Sequence, residues 1–119
     1  MRTRFALGAL AVSAVLAATP SCSILLVHGP PSGYEQTAGF SCTRGNAVPF
    51  LDAALAGTGL LVGATLIAGT AGDTEGWTAP YAVVGGGFVL EGLAYGASAI
   101  IGFHRTSRCR EAQSVVRAR

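Results

Sequence analysis

The sequence predicts an all-α membrane protein: a signal and lipobox segment followed by a glycine-rich antiparallel transmembrane helical hairpin. Two observations carry most of that prediction. Only 12% of the 119 residues are charged and the mean hydropathy is +0.50, whereas a soluble domain carries about 25% charged residues. Residues 49–72 and 80–103 are apolar, rich in glycine and alanine, and each long enough to cross a hydrocarbon layer of about 30 Å.

The chain opens with Arg2 and Arg4, an apolar stretch from Phe5 to Ala18, and the small residues Thr19 and Ser21. This is the layout of a bacterial secretory signal, assigned to residues 1–21. Cys22 follows in the run ATPSC, which looks like a lipobox, the site where a cysteine takes a diacylglycerol and becomes the mature N-terminus. Ordinary cleavage nearby, or an uncleaved anchor continuing through ILLV, are the alternatives. Residues 22–46 read as an extracytoplasmic linker broken by Pro30, Pro31, Ser32 and Gly33.

The first apolar segment begins at Asn46, a capping residue type, with Pro49 suited to its first turn and Asp52 in that turn complementing the helix dipole. No charge occurs between residues 53 and 72. The loop holding Asp73, Glu75 and Trp77 then turns the chain, and Pro80 again suits a first helical turn. A hairpin spanning residues 47–103 is the result, because a helix satisfies its own backbone hydrogen bonds in lipid. Residues 104–119 form a basic tail with five arginines against Glu111. It reads either as a short helix with Cys109, Ala112 and Val116 on one side or as a solvated basic end.

Glu91 interrupts the second segment. Helical spacing aligns it with Gly87, Ala94, Ser98 and Gly102, a stripe of small residues, while Gly92 and Gly96 form a neighbouring pair. The first segment has Gly59 and Gly63. Small residues let helix backbones approach closely in lipid, so Glu91 is expected to face the partner helix. With the turn centred near residue 75, Glu91 opposes Thr58 and Gly59, and Asp52 opposes Ser98. An ionised carboxylate at that depth costs roughly 3 kcal/mol, so Thr58 or Tyr95 is the expected hydrogen-bond partner. The acid serves as a register pin or as part of a proton or ion path.

If Cys22 carries lipid, Cys42 and Cys109 remain at the two ends of the hairpin, on the same side of the membrane. A disulfide between them would clamp its open end in an oxidising compartment. Cys42, Cys109, His28 and His104 lack the tight spacing of zinc motifs, and no phosphate-binding loop or ordered catalytic triad is present. No enzyme activity, cofactor, metal, nucleic acid or small-molecule substrate is therefore expected. The expected partners are the lipid bilayer and either further copies of the chain or a larger membrane complex.

SCSILLVHGPP, a cysteine before AVPFLD, and GFHRTSRCREA after the second segment together resemble small predicted bacterial envelope lipoproteins of unknown function, built on a two-helix transmembrane hairpin. The most specific pieces are SRCREA and HGPP. The glycine pattern is also similar in kind to glycine-zipper hairpins of envelope lipoproteins. The resemblance implies an envelope location and a structural or interaction role, with no activity attached. An accessory subunit of a transporter or channel, using Glu91, is the alternative function. The charge pattern sets one conflict. Export puts the basic tail outside and the acidic loop inside, against the positive-inside preference of an inner-membrane protein. Outer-membrane insertion, an override by anchor and disulfide, or a cytoplasmic tail with reduced cysteines would each resolve it. Inner and outer membrane remain undecided, with most polar residues placed in the periplasm.

Overall fold

The computed structural model describes residues 22–36, 39–71 and 78–118. The signal reading of residues 1–21, the loop acids Asp73 and Glu75, and Trp77 lie outside them. Three α-helices and one short 3-10 turn make up the regular structure of the described residues: α1 (Cys22–Leu26), the turn Tyr34–Gln36, α2 (Ala47–Gly69) and α3 (Thr78–Arg117). They assemble into a rod of 69 × 24 × 18 Å.

α2 and α3 pair antiparallel, forming the hairpin. Facing positions run from Asn46 with Thr106, through Asp52 with Ser98 and Gly59 with Gly92, to Gly63 with Gly85. These pairs are centred near residue 75, the register given by the turn position. The 23 residues of α2 span about 34 Å, one hydrocarbon thickness.

Glycine sets the closeness of the seam. A methyl group added at Gly63 would lie 2.6 Å from the Gly85 carbonyl oxygen, and one at Gly92 would lie 2.9 Å from the Ala56 carbonyl oxygen. Backbone therefore touches backbone at both places, and only a residue without Cβ fits. The buried positions of α2 are Pro49, Asp52, Ala56, Gly59 and Gly63. On α3 they include Gly85, Gly92, Tyr95, Ser98, Ala99, Gly102, Thr106, Cys109 and Ala112. The α2 set advances by alternating steps of three and four, and the α3 set follows the same period with Ser98 added beside Ala99 and no fully buried residue between Gly85 and Gly92, the period of two helices that stay in contact along their length.

That period corrects part of the expected stripe. Gly87 and Ala94 are exposed, and Gly87 has open space where a Cβ would stand. Steps of three and four taken back from Gly102 reach Gly92 and Gly85 instead, while Ser98 and Gly102 stay buried.

The second helix also runs further than the expected boundary at Phe103. α3 is continuous for 40 residues, about 60 Å, and includes most of the basic tail. Cys109 and Ala112 lie on its covered side, with Val116 half-buried. The linker covers this extension. Segment 39–46 lies along it and is joined to it by the Cys42–Cys109 disulfide, with a Cα–Cα distance of 5.9 Å. Asn46 occupies the N-cap position of α2, but its side chain makes no cap bond; its Oδ1 accepts from the Thr106 hydroxyl at 2.9 Å.

Candidate functional site

The polar groups of the hairpin gather at its open end, where α1, α2 and α3 meet. Asp52, one and a half turns into α2, is fully buried. Its Oδ2 accepts a 2.7 Å hydrogen bond from the Ser98 hydroxyl of α3 and a 2.9 Å bond from the Ser23 backbone N–H of α1. One carboxylate thus ties three helices together. Ser23 is also fully buried, and its side chain packs where a Gly102 side chain would otherwise stand, with a Cβ there meeting Ser23 Cβ at 2.8 Å. Gly102 is small because Ser23 of α1 and Pro49 of α2 both occupy that space, each 2.8 Å from where its Cβ would stand.

The other end of α1 is held by Arg105. Its Nη1 donates to the carbonyls of Ile24 at 3.1 Å and Val27 at 3.0 Å. Backbone acceptors at a helix C-terminus have no partner in their own helix, and a guanidinium supplies it. Val27 is buried against the hairpin, while Ile24, Leu25 and Leu26 point outward. The chain then joins segment 39–46: His28 N–H donates to the Thr43 hydroxyl at 3.1 Å, and Thr43 N–H donates to the His28 carbonyl at 3.0 Å. The rings of Tyr34 and Phe40 meet at a tilt of 56° with centroids 5.5 Å apart. The backbone of Cys22 opens α1, so this docked segment starts at the lipid-anchor candidate.

The residues expected around the intramembrane acid converge further down the hairpin. Glu91, Thr58, Gly59 and Tyr95 line one cavity of about 100 Å³ with Leu55, Val62 and Phe88. Glu91 is half-buried at the edge of the seam and Tyr95 is buried within it. The expected Glu91–Thr58 hydrogen bond is replaced by a local one, because the Thr58 hydroxyl donates to the Ala54 carbonyl of its own helix at 2.9 Å. An i to i−4 bond of this kind is the usual solution for threonine in an apolar helix. Gly59 and Gly63 contact α3 directly, opposite Gly92 and Gly85.

Sequence reasoning counted Asp52 as a helix-dipole residue of the first turn. The structure makes it the polar centre of the open end. The signal was in the register, which already set Asp52 opposite Ser98; the docking of Ser23 carried no signal. Among the described residues no group of three or more His, Cys, Asp or Glu side chains is placed to hold a metal ion. No family model, curated protein or solved structure matches the chain.

Proposed function

We propose that the protein is a non-enzymatic membrane lipoprotein of the bacterial cell envelope with a structural or interaction role. Its hairpin crosses the bilayer and its disulfide-clamped end stands outside. The observation that carries this reading is the outer surface of the rod. α2 and residues 80–117 of α3 are long and apolar enough to span a membrane, yet only 22% and 28% of their apolar windows are buried within the chain. A core helix of a soluble protein would be mostly covered. Here Phe50, Leu51, Leu61, Val83, Leu90, Leu93 and Ile100 are all exposed. Helices with apolar windows so little covered by the described residues fit a lipid solvent. The exposed Ile24, Leu25 and Leu26 of α1 extend this belt at the level of Asp52 and Gly102. Beyond Phe103 the exposed surface turns to arginine, serine and glutamate, with Val115 the exception among the large apolar residues.

Lipidation of Cys22 fits the same geometry. A diacylglycerol there would start beside the apolar belt, and the docked α1 would hold its attachment point against the hairpin. Association with further copies or a larger membrane complex would use the exposed faces of α2 and α3. Membrane fractionation tests the reading. The chain should pellet with membranes, resist alkaline carbonate, and incorporate labelled palmitate that Cys22→Ser abolishes. A carbonate-soluble chain rules out the spanning hairpin; an unlabelled but membrane-integral chain rules out the anchor alone.

The cavity lined by Glu91 supports the alternative, an accessory subunit of a transporter or channel. Glu91→Gln separates the two readings: it should leave a structural protein assembled and functional, and should abolish a function that depends on ion or proton transfer.

A further inference from the structure

The linker and the end of α3 bring three arginines into one groove. Arg44, Arg110 and Arg117, with Gln113, Ser114 and Ala118, line an open depression of about 410 Å³. Among the described residues no Asp or Glu side chain lines it. Arg110, Gln113, Ser114 and Arg117 fall at helical spacing on one side of α3. Arg44 comes from the opposite wall. Its position follows from the crosslink: Arg44 is two residues beyond Cys42, Arg110 directly follows Cys109, and the bonded cysteines have Cα atoms 5.9 Å apart.

We propose that this groove binds a phosphate group, held by the guanidinium groups of Arg44, Arg110 and Arg117. Each guanidinium is a planar fork of five N–H donors suited to bidentate contact with oxyanions. The neighbouring polar side chains are already engaged: the Ser114 hydroxyl donates to the Glu111 carbonyl at 2.7 Å, and the Gln113 amide lies 3.6 Å from Cys42 Sγ. The charged donors left to the groove are the three arginines, beside the second amide N–H of Gln113. Three like charges in one depression repel each other, and an anion between them turns that repulsion into attraction. A carboxylate has two oxygens, enough for one bidentate arginine, whereas a phosphate can serve three. The carbonyl end of α3 carries partial negative charge beside the groove, so no single arginine is sufficient. The disulfide is a positioning element here, because it is what keeps Arg44 opposite α3.

The site is independent of the membrane reading. Its phosphate can come from a soluble compound or from a lipid headgroup, and the test separates them. The full chain is placed in zwitterionic phosphatidylcholine nanodiscs, and arginine side-chain N–H signals are followed by NMR at constant ionic strength. One arm titrates inorganic pyrophosphate; the other replaces part of the lipid with phosphatidic acid, whose phosphomonoester keeps three terminal oxygens. Saturable shifts confined to Arg44, Arg110 and Arg117 are expected, in the first arm for a soluble source and in the second for a headgroup. Arg44→Gln should weaken binding about fivefold, the scale of an exposed ion pair, and reduction of the disulfide should do the same. Arg108→Gln, an exposed arginine outside the groove, should leave affinity unchanged. Equal weakening by Arg108→Gln shows a diffuse basic surface and overturns the site, as does the absence of a saturable shift in both arms. Unchanged affinity after reduction overturns the role given to the disulfide.

Discussion

The Ser98 hydroxyl donates a 2.7 Å hydrogen bond to Asp52 across the two apolar helices, and Asp52 accepts from the Ser23 N–H on its other side. This fixes the register of α2 against α3 and seats α1 in the same contact. Between Asp52 and the turn the buried seam is mostly glycine and alanine, with Tyr95 among them, and such small residues pack closely but distinguish poorly between neighbouring registers.

Asp52 should therefore be the most sensitive polar position in the chain. Asp52→Ala strands two buried donors, and a loss of about 3 kcal/mol is expected. Ser98→Ala removes one donor and should lose about 1 kcal/mol. Denaturant unfolding in detergent micelles, followed by circular dichroism, measures both. Equal losses for the two variants would contradict the central role of the carboxylate.

Glycine substitutions should divide by side. Gly63→Ala and Gly92→Ala put a methyl group into facing backbone, at 2.6 Å and 2.9 Å from its nearest atoms, and should destabilise by about 1–3 kcal/mol. Gly87→Ala meets open space and should be neutral or gain up to about 1 kcal/mol from helix propensity. The same unfolding measurement ranks them, and a destabilising Gly87→Ala would place that residue back in the seam.

The disulfide closes a separation of 67 residues, which in the chain-entropy model stabilises by about 4 kcal/mol. Cys42→Ser should remove most of this. The first structural effect should be local, because α2 and α3 keep their glycine seam. Hydrogen exchange should accelerate in residues 39–46 well before residues 53–67. Uniform acceleration along both helices would show that the crosslink, not the seam, holds the hairpin.

Arg105 ties α1 to α3 through two backbone carbonyls. Because the side chain is half-exposed, Arg105→Gln should lose only about 1 kcal/mol. The loss should fall on α1, where limited proteolysis after Leu25 or Leu26 should speed up about fivefold while cleavage within α2 is unchanged.

Much of the architecture was legible in the residues. Composition and segment length give two apolar helices, and a turn centred near residue 75 gives the facing pairs, including Asp52 with Ser98 and Cys42 near Cys109. The meeting of Glu91 with Thr58 and Gly59 around one cavity follows from the same register. The detailed face did not follow. Gly87 lies on the same helix as Gly85 and Gly92 and is just as small, and Ala94 is larger by one methyl group, yet only Gly85 and Gly92 are buried.

What the sequence determined by itself was the number, length and order of the apolar segments, because those depend on local composition and on the reach of the chain. Tertiary structure decided which face of each helix is covered, that α3 continues past Phe103 under the linker, and that Asp52 receives Ser23. The physical reason is the loss of contrast. In a helix with one polar side, burial can be read from the pattern; in helices apolar all round, no residue marks the inside. There the covered face is selected by backbone-to-backbone fit and by hydrogen bonds such as Ser98 to Asp52, and these are properties of the pair of helices, absent from either one alone.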